Sequence, residues 1–127
     1  NITVENNEEF RALMESPQPD DAAVEQFVSK YKGRTVEFDG NVANVASHNG
    51  YKTRFDFLIY AGDYSTDSAH GPNFQFANCA YYNLHLTGDN IPNSISAGQN
   101  LHIIAKIVDF NSTQQLLHLE PIATSAR

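Results

Sequence analysis

The sequence predicts a mainly β fold in which two short helices precede a small closed barrel of five strands. Three observations carry this expectation. Before residue 33, apolar residues recur every three to four positions, which is the helical period. From Arg34 onward the period changes to two, as strands with one buried face require. Turn-forming clusters then cut that region into five long segments, with helices only at the front.

Residues 6–15 (NNEEFRALME) place Phe10, Leu13 and Met14 on one stripe. Asn6 or Asn7 can cap this helix, and the acids of its first turn suit the helix dipole. Pro17 and Pro19 end it. A second helix is expected at about 21–32, capped by Asp20 or Asp21, with Val24, Phe27, Val28 and Tyr31 as its stripe. Lys30 and Lys32 fall in its last turn, and Gly33 suits the position just past its end. Helices this short need a partner surface.

In the first strand Val36, Phe38, Gly40 and Val42 alternate with Thr35, Glu37, Asp39 and Asn41. A glycine inside such a strand predicts a bulge or sharp bend. Residues 46–52 form a turn around Asn49-Gly50, a strong hairpin signal. The second strand covers about 53–61, with Phe55, Phe57 and Ile59 inward and Arg54, Asp56, Leu58 and Tyr60 on the other face. Residues 62–79 read as an irregular insertion in which Phe74 and Phe76 suggest at most a short edge strand. The third long strand is expected at about 81–87 (YYNLHLT). Residues 90–99 connect it to the last two strands, about 100–109 and 115–124, with Ile91 and Ile95 dipping into the core.

The chain holds 127 residues, enough for one domain with a self-sufficient core. The expected division is a helical appendage at 1–33, packed on a barrel formed by 34–127. The net charge of −7 is unevenly spread. Residues 1–25 hold seven acids against the single base Arg11, and the remainder is nearly neutral. No basic stripe is present, so nucleic acid is not the expected partner. A lone cysteine, Cys79, excludes an intrachain disulfide and reads as a small core residue. No apolar run is long enough to cross a bilayer. Asn1 in place of Met suits a processed or truncated chain, so a removed signal or upstream anchor is one expectation and a cloning boundary another.

A helix, then YKGRTVEFDGNVANV, a hairpin into TRFDFLIYAG, then LTGDNIPNSISAGQNLHIIAKIVDF and QLLHLEPI, together resemble bacterial OB-type barrels. The likeness covers about residues 28–123 and is nearest to an uncharacterised domain-of-unknown-function family related in outline to the tRNA-anticodon-binding-like OB group. Its most specific pieces, Tyr31 to Arg34 and Gly98, are architectural. The resemblance implies an OB-fold-like barrel and an exported or lipid-anchored envelope protein, and it transfers no catalytic residue.

OB barrels bind on the face of strands two and three, between the first hairpin loop and the loop joining strands four and five. Here that expectation selects Tyr51, Lys52, Arg54, Tyr60, His85 and Phe110, with His48 nearby. Aromatics interleaved with bases suit stacking on nucleotides or sugars. The competing reading has Tyr60 and Phe110 covering the barrel and Arg54 in cross-strand pairs. Histidines 85, 102 and 118 stand on expected strands and raise the question of zinc. A turn at 111–114 would set His118 opposite residues 105–107 and His102 opposite about 122, roughly 13 Å apart along the strand, which argues against a shared ion. Asp63 and Asp67 space oxygens as a calcium loop does but lack the full pattern. Asp39, Arg54 and Asp56 could serve a metal-dependent hydrolase if strands one and two bring them together. The acids of the front helices could steer a basic protein.

A complete barrel pattern without a reactive motif points to a non-catalytic binding or interaction module of the bacterial cell envelope or exterior, with a protein or small-molecule partner and no cofactor. The first alternative is an oligonucleotide- or sugar-binding OB domain, and the second is the hydrolase.

Overall fold

The computed structural model describes residues 1–65, 70–89 and 91–127. Helix α1 (Glu8–Glu15) starts at Asn7, whose side chain accepts from the Phe10 amide, and helix α2 (Asp21–Tyr31) starts at Asp20, whose carboxylate accepts from the Ala23 amide. Both caps satisfy an amide that the first turn leaves open. Gly33, at φ +84, takes the left-handed step that ends α2. Its amide donates to the Ile107 carbonyl at 2.9 Å and so fixes the helix end to the sheet.

Strands β1 (Thr35–Ser47), β2 (Phe55–Ala61), β3 (Phe74–Cys79), β5 (Asn100–Asn111) and β6 (Leu116–Ala126) form the barrel. A two-residue strand β4 (Leu86–Thr87) lies parallel to β6 outside it. The order β3-β2-β1-β5-β6 is closed by parallel pairing of β3 with β6, through Phe74 with Leu117 and Gln75 with His118. This is the expected five-stranded, OB-fold-like closure. β1 is the long member that pairs on both sides, with β5 over 35–41 and with β2 over 40–47. Its register shifts between Val42 and Asn44, beside the bend anticipated at Gly40.

The third barrel strand is not 81–87 but β3, inside the segment read as an insertion. Phe74 and Phe76 alternate inward and are essentially fully buried. Residues 81–84 instead form a 3-10 turn, Tyr81–Leu84, in which Asn83 accepts from the Ala80 amide at 2.8 Å. His85 ends that turn in the left-handed region, at φ 51. Leu84 is buried and Tyr82 is exposed. Of the two connector isoleucines, Ile95 is in the core and Ile91 lies outside it.

The last hairpin also differs. Asn111 pairs with Leu116, His118 faces Asp109, and His102 faces Ser125. Two bulges, between Ile104 and Ala105 and between Ile107 and Asp109, offset the register from a simple hairpin count.

Phe10, Phe57, Phe74 and Phe76 lead the core. Phe27 and Phe10 stack at 5.6 Å, Phe10 meets Phe38 edge-on at 6.2 Å, and Phe38 stacks on Phe74 at 4.7 Å. This run of rings carries the apolar faces of α1 and α2 onto the barrel interior, which is how helices too short to stand alone are stabilised. Before α1, Ile2 adds to the start of β1, donating to the Thr35 carbonyl and accepting from the Glu37 amide, each at 2.8 Å.

Candidate functional site

The expected ligand-binding residues are spread around the barrel. Tyr51 and Lys52 are exposed in the β1–β2 loop. Arg54 is engaged: Nε donates to Asn78 Oδ1 at 2.9 Å, one terminal nitrogen to the Asn78 carbonyl at 2.7 Å, and the other to Asn83 Oδ1 at 3.3 Å. It therefore ties the start of β2 to the end of β3 and to the 3-10 turn. His48 pairs with Asp56 at 2.9 Å beside it. His85 terminates the 3-10 turn. Phe110 packs half-buried at the far end of β5, near Pro17 and Gln115. Tyr60 lines a larger hollow than the one beside Phe110.

That hollow, about 490 Å³, lies on the outer face of β1 and β2 beneath the strap that leaves β2. Asn41, Asn44, Tyr60, Asp63, Tyr64 and His70 supply its chemistry. Asn41 is buried, and its side-chain amide donates to the Gly62 carbonyl at 2.9 Å. The strap is fixed at further points. The Gly62 amide donates to the Asp39 carbonyl at 2.9 Å, the Tyr64 amide to Asn100 Oδ1 at 2.7 Å, and Asp63 accepts from Arg127 at 2.7 Å. Opposite, His70 Nδ1 lies 2.9 Å from the Met14 carbonyl. A carbonyl only accepts, so Nδ1 is the donor in this contact.

A second hollow of about 410 Å³ lies on the other side of His70, under the N-terminal segment and α1. It is bordered by Glu5, Glu15, Glu37, Asp39 and His102 over an apolar floor of Met14 and Phe38. His102 stands between two carboxylates of β1, with Nδ1 2.7 Å from Asp39 and Nε2 2.7 Å from Glu37. Arg127 also approaches Asp39, at 3.5 Å. The bonds to Asp39 and then Glu37 hold the imidazole pKa above its ordinary value. Glu37 lies below its own, first through the Asn1 side-chain amide and then through His102. His118 is clamped similarly by Asp109 at 2.7 Å and Gln75 at 3.0 Å.

The signs of these shifts set a pH window. A raised imidazole adds stability that is complete below its ordinary pKa and lost as pH climbs through the raised value. A depressed carboxylate adds stability that is complete above its ordinary pKa and lost as pH falls. The triad Glu37–His102–Asp39 is therefore strongest between roughly pH 4.5 and 6.5. Urea midpoints are expected to be higher at pH 6 than at pH 8.5, with the His102→Gln protein losing part of that difference. An unchanged difference in the variant would refute the assignment.

The carboxylates considered for metal chemistry are not gathered. Asp56 pairs in register with Ala46, whereas Asp39 lies beyond Gly40, the partner of Ala61 at the other end of β2. Arg54 is turned toward β3. Among the described residues no group of three His, Cys, Asp or Glu is arranged to hold a metal ion. The Asp67 end of the calcium-like spacing lies outside the described residues. Cys79 is free and buried, and burial raises its thiol pKa. Among the described residues no helix is long and apolar enough to cross a membrane.

Sequence reasoning selected Tyr60 but not Asn41, Asn44, Tyr64 or His70 as site residues. None carries a local sequence signal: Asn41 reads as an ordinary outward polar residue of β1, and its burial arises only once the strap covers it. No curated protein and no solved structure matches the chain. Residues 5–127 match the family DUF4839, a domain of unknown function, and the chain belongs to that family.

Proposed function

We propose that this domain is a non-catalytic binding module that takes a small ligand in the hollow between the β1–β2 face and the 62–65 strap. One observation carries the reading: a concavity of about 490 Å³ with aromatic walls and side-chain amides, its strap held by bonds from three different parts of the chain. Its volume falls in the range of small-molecule sites, and a pre-formed wall lowers the ordering penalty of binding. The expected partners are a small ligand or a protein that presents one. Nucleic acid is disfavoured because carboxylates flank the hollow and Arg127 is already held by Asp63 and Asp39. The compartment proposed with this function is the bacterial cell envelope or exterior, on the strength of the resemblance to exported OB-type proteins.

The test is an amide chemical-shift map of the 127-residue chain against a mixed panel of sugars, nucleosides, amino acids and short peptides. Shifts are expected to gather on residues 41–44, 58–65 and 70. Shifts gathered around Tyr51 and Arg54, no shifts at millimolar ligand, or turnover of a bound compound would each overturn the reading. For the compartment, recovery of the protein from the cytosol of its native host would do the same.

A further inference from the structure

Resting on that reading, we propose that the ligand is an uncharged saccharide, with one ring held between Tyr60 and Tyr64 and the glycan continuing past His70. Tyr64 is 54% exposed, yet the backbone that presents it is pinned at its own amide and through the neighbouring Asp63. An exposed aromatic ring on a fixed backbone is a stacking platform that loses little entropy on binding. Tyr60 supplies a second ring from β2.

The polar groups around these rings are of mixed sense. The Asn44 side chain is exposed at the rim and offers both a donor and an acceptor. His70 Nδ1 is committed to the Met14 carbonyl, which leaves Nε2 to meet a hydroxyl that can donate or accept. Sugar hydroxyls donate and accept, so they can meet both kinds of partner from several directions. A planar base presents hydrogen-bonding groups only along its edge.

Charge narrows the class. Asp63 lies in the first hollow, and Glu5, Glu15, Glu37 and Asp39 border the second. The nearby cations, Arg127 and His102, are each placed between carboxylates. Phosphorylated or uronic ligands would enter a negative field. The two hollows meet at Ala61 and His70, so a glycan longer than one ring would leave the first hollow over His70 toward the second.

Calorimetric titrations with maltotriose, cellotriose, mannotriose and tri-N-acetylchitotriose, beside their monosaccharides, trigalacturonate, adenosine and uridine, test this. At least one neutral trisaccharide should saturate and bind more tightly than its monosaccharide, and trigalacturonate should not bind. Tyr64→Ala should weaken that affinity about three- to tenfold, Tyr64→Phe should retain it, and Tyr51→Ala in the distant β1–β2 loop should leave it unchanged. If nucleosides bind at residues 41–65 and saccharides do not, the hollow stands as a site and the saccharide assignment falls. If trigalacturonate binds as well as the neutral glycans, the charge argument falls. If no probe binds, both readings fall together.

Discussion

Phe74→Ala is expected to lower the unfolding free energy by about 3–5 kcal/mol, the range for truncating a buried phenylalanine. Phe74 is 1% exposed and opens β3. It pairs with Ile59 of β2 on one side and with Leu117 of β6 on the other, so its side chain sits at the seam that closes the barrel. That seam is a parallel pairing at Phe74 and Gln75 only, and the Leu117 amide extends it by donating to the Asn73 carbonyl. The Phe74 ring also ends the run that brings Phe38, Phe10 and Phe27 together. Removing it leaves a cavity where barrel closure and helix docking meet. Against a total stability of about 5–15 kcal/mol for a domain of this kind, that loss approaches the unfolding threshold. Tyr82→Ala, by contrast, should shift stability by less than about 0.5 kcal/mol, because its ring is 75% exposed. Urea denaturation followed by far-ultraviolet circular dichroism compares the two. Phe74→Leu gives a folded reference if the alanine variant does not accumulate. Equal effects at 74 and 82 would mean that β3 does not close the barrel.

The same pair of residues shows where sequence reading works and where it stops. The helices were legible because each carries its own evidence: an apolar stripe, an Asn or Asp cap and a stop signal within a dozen residues. β1 was legible because its alternation is long and its buried face continuous. β3 was obscured because its two inward phenylalanines follow a run of turn formers, and its assignment depends on a parallel partner far along the chain. Residues 81–87 looked like a strand because they are aromatic and apolar. Their outcome was decided by local bonds, with Asn83 accepting from the Ala80 amide and Tyr81 packed 5.2 Å from Phe55. The hairpin register escaped because bulges leave no periodic trace. The hollow escaped for a related reason: Asp63 meets Arg127 and Tyr64 meets Asn100 only once the barrel has closed. Of its residues, Asn41, Leu58 and Tyr60 sit on strand faces that the alternation itself could assign.

Gly40→Ala is expected to cost about 1–3 kcal/mol, and Gly40→Val more, although valine is a favoured strand residue and alanine is less depleted from strands than glycine. The reason is space rather than backbone freedom, since Gly40 is not among the glycines with positive φ. It stands where β1 is paired on both sides, with Leu101 of β5 and Ala61 of β2. A β-carbon there would lie 2.9 Å from the Tyr60 carbonyl oxygen, and 3.1 Å from both the Ile103 δ-methyl and the Phe38 ring. The two side chains could yield by small rotations. The carbonyl belongs to β2 and can move only if the strand moves. Gly98 supplies the contrast: at φ +95, a β-carbon added to it would meet nothing within 4 Å, so Gly98→Ala carries backbone strain of about 1–2 kcal/mol but no clash. The two substitutions should therefore separate in the ligand assay rather than in the melting curve. Displacing the Tyr60 carbonyl shifts the strand that carries the Tyr60 ring and leads into Gly62, where Asn41 is bonded. Gly40→Ala should thus lower both the thermal midpoint and the affinity at the hollow, whereas Gly98→Ala lowers only the midpoint. A Gly40→Ala protein that melts with the wild type would show that β1 and β2 are not packed as closely as described.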